Sequence, residues 1–219
     1  YGCSSLTSIS LPGSVNGIGS GVFEGCINLT GIKVASGNST YTSVDGILLG
    51  KSGTTVIVCP QGVKKVALPE GVTSIGNGAF KGCQGLTVIN IPEGVTAIGT
   101  GAFKNCTSLI SINIPKGVTR LEREVLSGCS NLKSVSLPEG LTAIGENAFL
   151  DCRSLTDIAI PEGVTTIGEG AFFNCRGLTS ISLPKSLVSL GDWAFQNCTG
   201  LTAITFESPA TKIADSQYT

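Results

Sequence analysis

The stretch Leu86-Thr-Val-Ile-Asn-Ile-Pro-Glu-Gly-Val-Thr-Ala-Ile-Gly-Thr-Gly-Ala-Phe-Lys-Asn-Cys106 decides the fold, because the chain repeats it. Cysteines stand at 83, 106, 129, 152, 175 and 198, each 23 residues after the last, and Cys3 and Cys26 share that interval. Prolines 69, 92, 115, 138, 161 and 184 keep it too. With Leu86 as place 1, the unit reads L-T-x-I-x-I-P-E-G-V-T-x-I-G-x-G-A-F-x-x-C-x-x. Copies start at Leu6, Leu29, Leu86, Leu109, Leu132, Leu155, Leu178 and Leu201. A fixed period of this length marks a solenoid, in which a unit buries its apolar face only against its neighbours. Ile89-Asn90-Ile91 alternates as a half-buried strand does. Pro92 ends that strand, and Pro92-Glu93-Gly94 turns with φ set by the proline ring. Val95 to Gly99 reads as a second short extended segment. Ala102 to Cys106 is expected to form one helical or 3₁₀ turn with Phe103 and Cys106 inward. Strands paired in register would place copies about 4.8 Å apart.

The second copy is longer than the rest by 34 residues. The insertion, approximately residues 36–65, has turn signals at Asp45-Gly46 and Lys51-Ser52-Gly53 between short apolar runs, which predicts a β-hairpin or meander. The last copy is cut short, with Glu207 where proline belongs. The expected organisation is a single solenoid domain over residues 1–219, with a truncated repeat and tail over 208–219.

Composition narrows the chemistry. The chain has 219 residues, no histidine, no methionine, nine cysteines and a net charge of −1. Without histidine there is no Ser-His-Asp or Cys-His site and no HExxH zinc centre. Fourteen basic residues against 15 acidic give no basic footprint for nucleic acid. No run reaches the roughly 20 apolar residues of a membrane helix. The start at Tyr1 and the lack of methionine read as a processed form or an excised piece, with no signal peptide in view. No cofactor is expected, and no enzymatic activity.

The repeat, as it stands from Leu86 to Cys106, resembles the BspA-like, Treponema pallidum-type leucine-rich repeat, and the resemblance runs from residue 1 to about 207. It implies a right-handed leucine-rich repeat solenoid with a β-strand, a short extended segment and a 3₁₀ or helical turn per 23-residue unit. It further implies a surface or secreted protein of a host-associated microbe, engaged in adhesion to protein or glycan partners. The other reading is a structural spacer with no ligand of its own.

Candidate residues come from the ladder and from its breaks. Cys3, Cys26, Cys83, Cys106, Cys129, Cys152, Cys175 and Cys198 read as reduced hydrophobes of the core, since no CxxC pair or histidine completes a metal set. Cys59, outside the ladder, is the one expected to be accessible. Places 3 and 5 should face outward, and their residues are small and polar. Bulky departures make a candidate contact patch, the other reading being that Leu150 and Phe173 only cover each other and Trp193 fills space near the end: Leu150 and Phe173 stand where Lys81 and Lys104 stand in earlier copies, Arg153 and Arg176 follow their ladder cysteines, and Trp193 replaces a glycine. In the fourth copy Arg120-Leu-Glu-Arg-Glu-Val-Leu126 loses its glycines; a fuller helical turn with a salt-bridged face is expected there. Four sequons, at Asn28, Asn38, Asn105 and Asn197, complete the set.

Overall fold

The computed structural model of the chain describes residues 2–19 and 21–207, with the backbone of 212–213. The expected tail over 208–219 otherwise lies outside the described residues. The chain winds as a β-solenoid, and most turns contribute two short strands. The first strand, near places 3 to 6, is formed by Ser8–Leu11, Gly31–Val34, Val66–Ala67, Ile89–Asn90, Ser111–Asn113, Ser134–Ser136, Ser180–Leu183 and Ala203–Phe206. Pairing is parallel and in register, with Ile9 opposite Ile32 and Ile112 opposite Val135, so equal places stack. Ile32, Ile89, Ile112 and Ile181 point inward and are buried, whereas their neighbours at place 5, Lys33, Asn90, Asn113 and Ser182, are exposed. The strand is not universal: Asp157–Ile160 forms no ladder, and a cleft of about 280 Å³ opens between it and Ser180–Pro184.

The second strand builds a ribbon from Ser74–Ile75, Ala97–Ile98, Arg120–Leu121, Ala143–Ile144, Thr166–Ile167 and Ser189–Leu190. Place 14 follows it, and there successive backbones come very close. A Cβ on Gly168 would stand 2.6 Å from the Glu146 nitrogen of the preceding turn, and one on Gly191 would stand 2.4 Å from that of Glu169. Only glycine permits that approach. The fourth copy has Glu122 at this place, and the ribbon parts at that seam: Ala97–Ile98 and Arg120–Leu121 fall in different sheets.

Places 15 to 21 form an outer ridge, and among the described residues it contains no helix. The expected helical or 3₁₀ turn is instead a run of β-turns: Ala102 donates to the Gly99 carbonyl (3.1 Å), Lys104 to Gly101 (3.0 Å) and Cys106 to Phe103 (3.2 Å). The cause is a left-handed residue at places 16 and 20, such as Gly101 (φ 59°) and Asn105 (φ 60°), which breaks any continuous right-handed helix. The requirement also explains why place 20 holds only Gly, Asn or Asp. The fourth copy obeys the same rule: Glu124 sits at φ 55°, so no fuller helical turn forms there. Its charges lie in ion pairs, Lys104–Glu124 (2.6 Å), Arg120–Glu122 (3.0 Å) and Arg123–Glu146 (3.3 Å).

Three backbone rungs tie each regular ridge to the next. Gly101, Phe103 and Asn105 donate to the carbonyls of Arg123, Val125 and Ser127 at 2.8, 2.9 and 2.7 Å. Inside, the place-18 rings stack, Phe80 on Phe103 at 5.0 Å and Phe149 on Phe172 at 5.1 Å, with Leu126 between the two stacks. The cysteines have a specific partner. From Cys106 to Cys198 each thiol donates to the place-18 carbonyl of the preceding turn, as Cys106 to Phe80 (3.1 Å), Cys129 to Phe103 (3.2 Å) and Cys152 to Leu126 (3.3 Å). A small apolar residue with a weak donor suits a dry site beside a carbonyl.

The inserted segment is a meander. Tyr41–Val44 pairs antiparallel with Ile47–Gly50, which pairs antiparallel with Thr55–Val58. The last of these runs parallel to Ser74–Ile75 and so takes a place in the ribbon. The insertion divides the core: one buried cluster holds Leu11, Phe23, Cys26, Leu29, Ile32 and Leu48, and a second runs from Ile47 to Cys198.

Candidate functional site

Three thiols of the buried ladder are held protonated, whereas the pKa of Cys198, at its far end, is lowered by its bond with Cys175. The hydrogen bond with Cys129 and burial push Cys106 well up, burial pushes Cys152 up, and the bond with Cys198 and burial do the same to Cys175. Thiols held protonated are poor nucleophiles. Two expectations are reversed. Cys59 is buried, 2% exposed, because its backbone occupies the place-18 slot: it donates to the Ala79 carbonyl (2.6 Å) as Phe80 donates to Ala102 in the next turn. Cys3, at the open first turn, is the exposed cysteine of the described residues.

The expected patch residues Leu150, Phe173 and Trp193 lie on the outer ridge, with Arg153 and Arg176 just past it at place 22. Leu150 and Phe173 occupy place 19 of adjacent turns and are half-buried. Beside them a polar chain crosses the turns. Arg153 donates to Asp151 through Nε (3.1 Å) and Nη2 (3.0 Å), Asn174 donates to the same carboxylate oxygen, and Arg176 Nε donates to Asn174 Oδ1 (2.6 Å). Asn174 is buried, so the chain fixes both arginine stems against the ridge. Trp193 lies one turn further at place 16, with φ 56° and 44% of its surface exposed. Left-handed backbone costs a residue with a Cβ roughly 1–2 kcal/mol, and a bulky side chain there is a marked outlier. The equivalent residues are Gly78, Gly101, Glu124, Asn147 and Gly170.

The sequons divide by burial. Asn38 is 1% exposed with its amide fully used: Nδ2 donates to the carbonyls of Pro12 and Val15, and Oδ1 accepts from Thr40 and Tyr41. It clamps the meander to the first turn and leaves no amide for a glycan. Asn28, Asn105 and Asn197 are exposed.

A second feature was not read from the sequence. A cleft of about 310 Å³ opens where the meander joins the solenoid, lined by Val22, Phe23, Ile57, Val58, Cys59 and Asn77 among others. Four residues separate Ile75 from Phe80 in a regular turn, but only Ile57 and Val58 separate the matching Val56 and Cys59. The meander turn therefore lacks a ridge. Gln61 spans the gap at one end, accepting from the Gly25 N–H (2.9 Å) and donating to the Lys81 carbonyl (2.8 Å); Lys81 also meets Glu24 at 2.9 Å. The signal was present as the short count from Val56 to Cys59, but it is visible only once Val56 is known to pair with Ile75.

The comparisons with known proteins agree with this architecture. The model of the BspA type leucine rich repeat region matches residues 1–45, 58–176 and 142–219, leaving out part of the meander. A leucine-rich repeat protein from Eubacterium ventriosum superposes with a TM-score of 0.73 at 28% identity, over 88% of this chain and 59% of that one. A leucine rich cell surface protein from Faecalibacterium prausnitzii gives 0.69 at 31% identity, over 92% of this chain and 48% of that one. The leucine rich repeat protein of T. pallidum gives 0.61 at 31% identity, over 76% of this chain and 79% of that one. The chain thus spans about half to three-fifths of the first two structures. No curated protein matches it. With its 23-residue turns, paired glycines and cysteine-capped phenylalanines, the chain belongs to the BspA-type leucine-rich repeat family.

Proposed function

We propose that the chain is a non-enzymatic binding module of a cell-surface or secreted protein, and that it holds a protein or glycan partner on its outer ridge. One observation carries this reading: Trp193 stands exposed in a left-handed backbone where other turns use Gly, Asn or Glu. Strain retained at an exposed aromatic points to use rather than to packing. Tryptophan and arginine are also the residues that dominate binding hot spots. Phe173 and Leu150 extend the apolar surface, and Arg153 and Arg176, held by Asp151 and Asn174, supply oriented donors beside it. Among the described residues the sheet face carries mostly Ser, Asn and Lys at its exposed places, with Val88 its large apolar side chain and no aromatic there. The cell-surface protein among the solved relatives supports the location.

The test restores the rule of the repeat. Trp193→Asn copies Asn147, and Phe173→Lys copies Lys81 and Lys104, so each new residue is one the fold already carries at that place. Purified wild-type chain and the double variant are compared on immobilised extracellular-matrix proteins and a glycan array. The expected result is that the wild type binds at least one of them and the variant loses at least tenfold in affinity with an unchanged fold. A wild type that binds nothing would favour a spacer, and equal binding by the two forms would move the site off the ridge.

A further inference from the structure

The chain holds two Asn-Gly pairs, Asn16-Gly17 and Asn77-Gly78, and both asparagines are exposed. Asparagine is among the thermally labile residues. A glycine after it has no Cβ to shield its nitrogen or to limit its backbone, so that nitrogen can reach the asparagine side-chain carbon. The fold treats the two pairs in opposite ways.

Asn77-Gly78 occupies places 15 and 16 of a regular turn and is locked there. The Gly78 N–H donates to the Thr100 carbonyl (2.9 Å), and Asn77 Oδ1 accepts from the Thr100 N–H (2.9 Å). Both reacting groups are held by the next turn, and Gly78 would have to leave its rung before its nitrogen could turn on Asn77. Asn16-Gly17 falls at places 11 and 12, where regular turns enter the ribbon, as Thr73-Ser74 and Thr96-Ala97 do. In the first turn residues 16–19 form no strand, because the meander joins the ribbon through Thr55–Val58 and continues it with its own antiparallel strands. Gly17 is exposed, a Cβ on it would meet nothing within 4 Å, and its φ lies outside the left-handed region. The residue before the pair is held: the Val15 carbonyl accepts from the Asn38 amide at 2.8 Å.

We propose that Asn16 is a site of spontaneous modification, converted through a succinimide to isoaspartate and aspartate, while Asn77 in the same dipeptide stays intact. The Gly17 nitrogen gives its proton to hydroxide and attacks Asn16 Cγ, forming the N–Cγ bond. The Cγ–Nδ2 bond breaks, and the nitrogen takes up a proton and leaves as ammonia. Water then opens the ring at either carbonyl. The sum is asparagine plus water giving isoaspartate or aspartate plus ammonia, with nothing oxidised or reduced. The product carries a new carboxylate and, as isoaspartate, an extra main-chain carbon directly after the Val15 carbonyl that Asn38 holds. Conversion loosens the clamp between the first turn and the meander and leaves the turns after Val63 as they were. The site is independent of the Trp193 ridge, which lies at the other end of the solenoid.

The experiment incubates the folded chain in mildly alkaline buffer, with the same chain in denaturant alongside it. Peptide mapping by mass spectrometry follows each asparagine, and methyl transfer by an isoaspartyl methyltransferase counts the isoaspartate formed. The expected result is that the two pairs convert at similar rates when unfolded, whereas in the folded chain Asn16 converts at least tenfold faster than Asn77. Gly17→Ala, which the open space admits, should slow Asn16 at least fivefold and leave Asn77 unchanged. In the converted chain the Thr40 and Tyr41 amides, which donate to Asn38 Oδ1, should exchange faster. Equal rates at Asn16 and Asn77 in the folded chain would overturn the proposal. A Gly17→Ala rate equal to the wild type would overturn the route through Gly17, and unchanged exchange of Thr40 and Tyr41 would overturn the loosened clamp.

Discussion

The turns from Val63 to Leu201 and those before them are built from one repeat, yet they are held together differently. In the later turns, backbone rungs and thiol–carbonyl bonds recur from turn to turn, rings stack on either side of Leu126, and the apolar interior is one cluster. In the earlier part the meander interrupts the ridge, the interior is a cluster of its own, and side-chain amides replace main-chain links. Gln61 bridges Gly25 to Lys81, and Asn38 bridges Pro12 and Val15 to Tyr41. Redundancy is what differs. A regular turn that loses one contact keeps its neighbours on both sides, whereas an amide that stands in for a rung has no second copy.

Substitutions measure that contrast. The largest effect is expected from Phe103→Ala in the regular part, where the ring is fully buried against Phe80. Truncating a core phenylalanine costs about 3–5 kcal/mol. Chemical denaturation should show that loss as a lowered midpoint of the main transition. Next comes Gln61→Ala, which leaves the part-buried Gly25 N–H and Lys81 carbonyl without partners, at about 1–3 kcal/mol for the two together. Because the cores are separate, its loss should appear as early exchange of amides before residue 60, with those of the later turns unaffected. A uniform change in both regions would show that the two cores unfold as one.

A smaller effect is expected from pH, and it belongs to the regular part. Cys106, Cys152 and Cys175 are held protonated in the folded chain. In the unfolded chain thiols ionise near pH 8.5. Below that pH both states carry the proton and the stabilisation is complete. Above it the unfolded state loses protons that the folded state keeps, so stability falls as pH rises, by up to about 1.4 kcal/mol per pH unit for each thiol. Denaturation under reducing conditions between about pH 8 and 10 should show a steadily falling midpoint; a flat profile would contradict the buried ladder.

The period made the regular part legible. Leucine, isoleucine, phenylalanine and cysteine recur at set places, and their inward direction follows from stacking alone. What the period could not show was backbone conformation. The spacing of Phe103 and Cys106 suits a helical turn, but left-handed residues at places 16 and 20 make it a chain of β-turns. The seam at Glu122 depends on the 2.4–2.6 Å approach at Gly168 and Gly191, a distance no spacing encodes. The meander hid most. Cys59, outside the ladder at 24 residues before Cys83, gave no sign of being buried, because its register comes from Val56 pairing with Ile75. The ridge residues Leu150, Phe173 and Trp193 were visible as departures from the repeat, but the φ of 56° that gives Trp193 its meaning was not.

Native-state hydrogen exchange tests the contrast between the two parts most directly. The amides of Phe80, Phe103, Phe149 and Phe172, each donating to the next turn, should exchange slowly and together, while the amide of Gly25, held by the Gln61 side chain, exchanges faster by orders of magnitude. A Gly25 amide as protected as the other four would mean that the first cluster opens only with the rest, and would contradict the divided core.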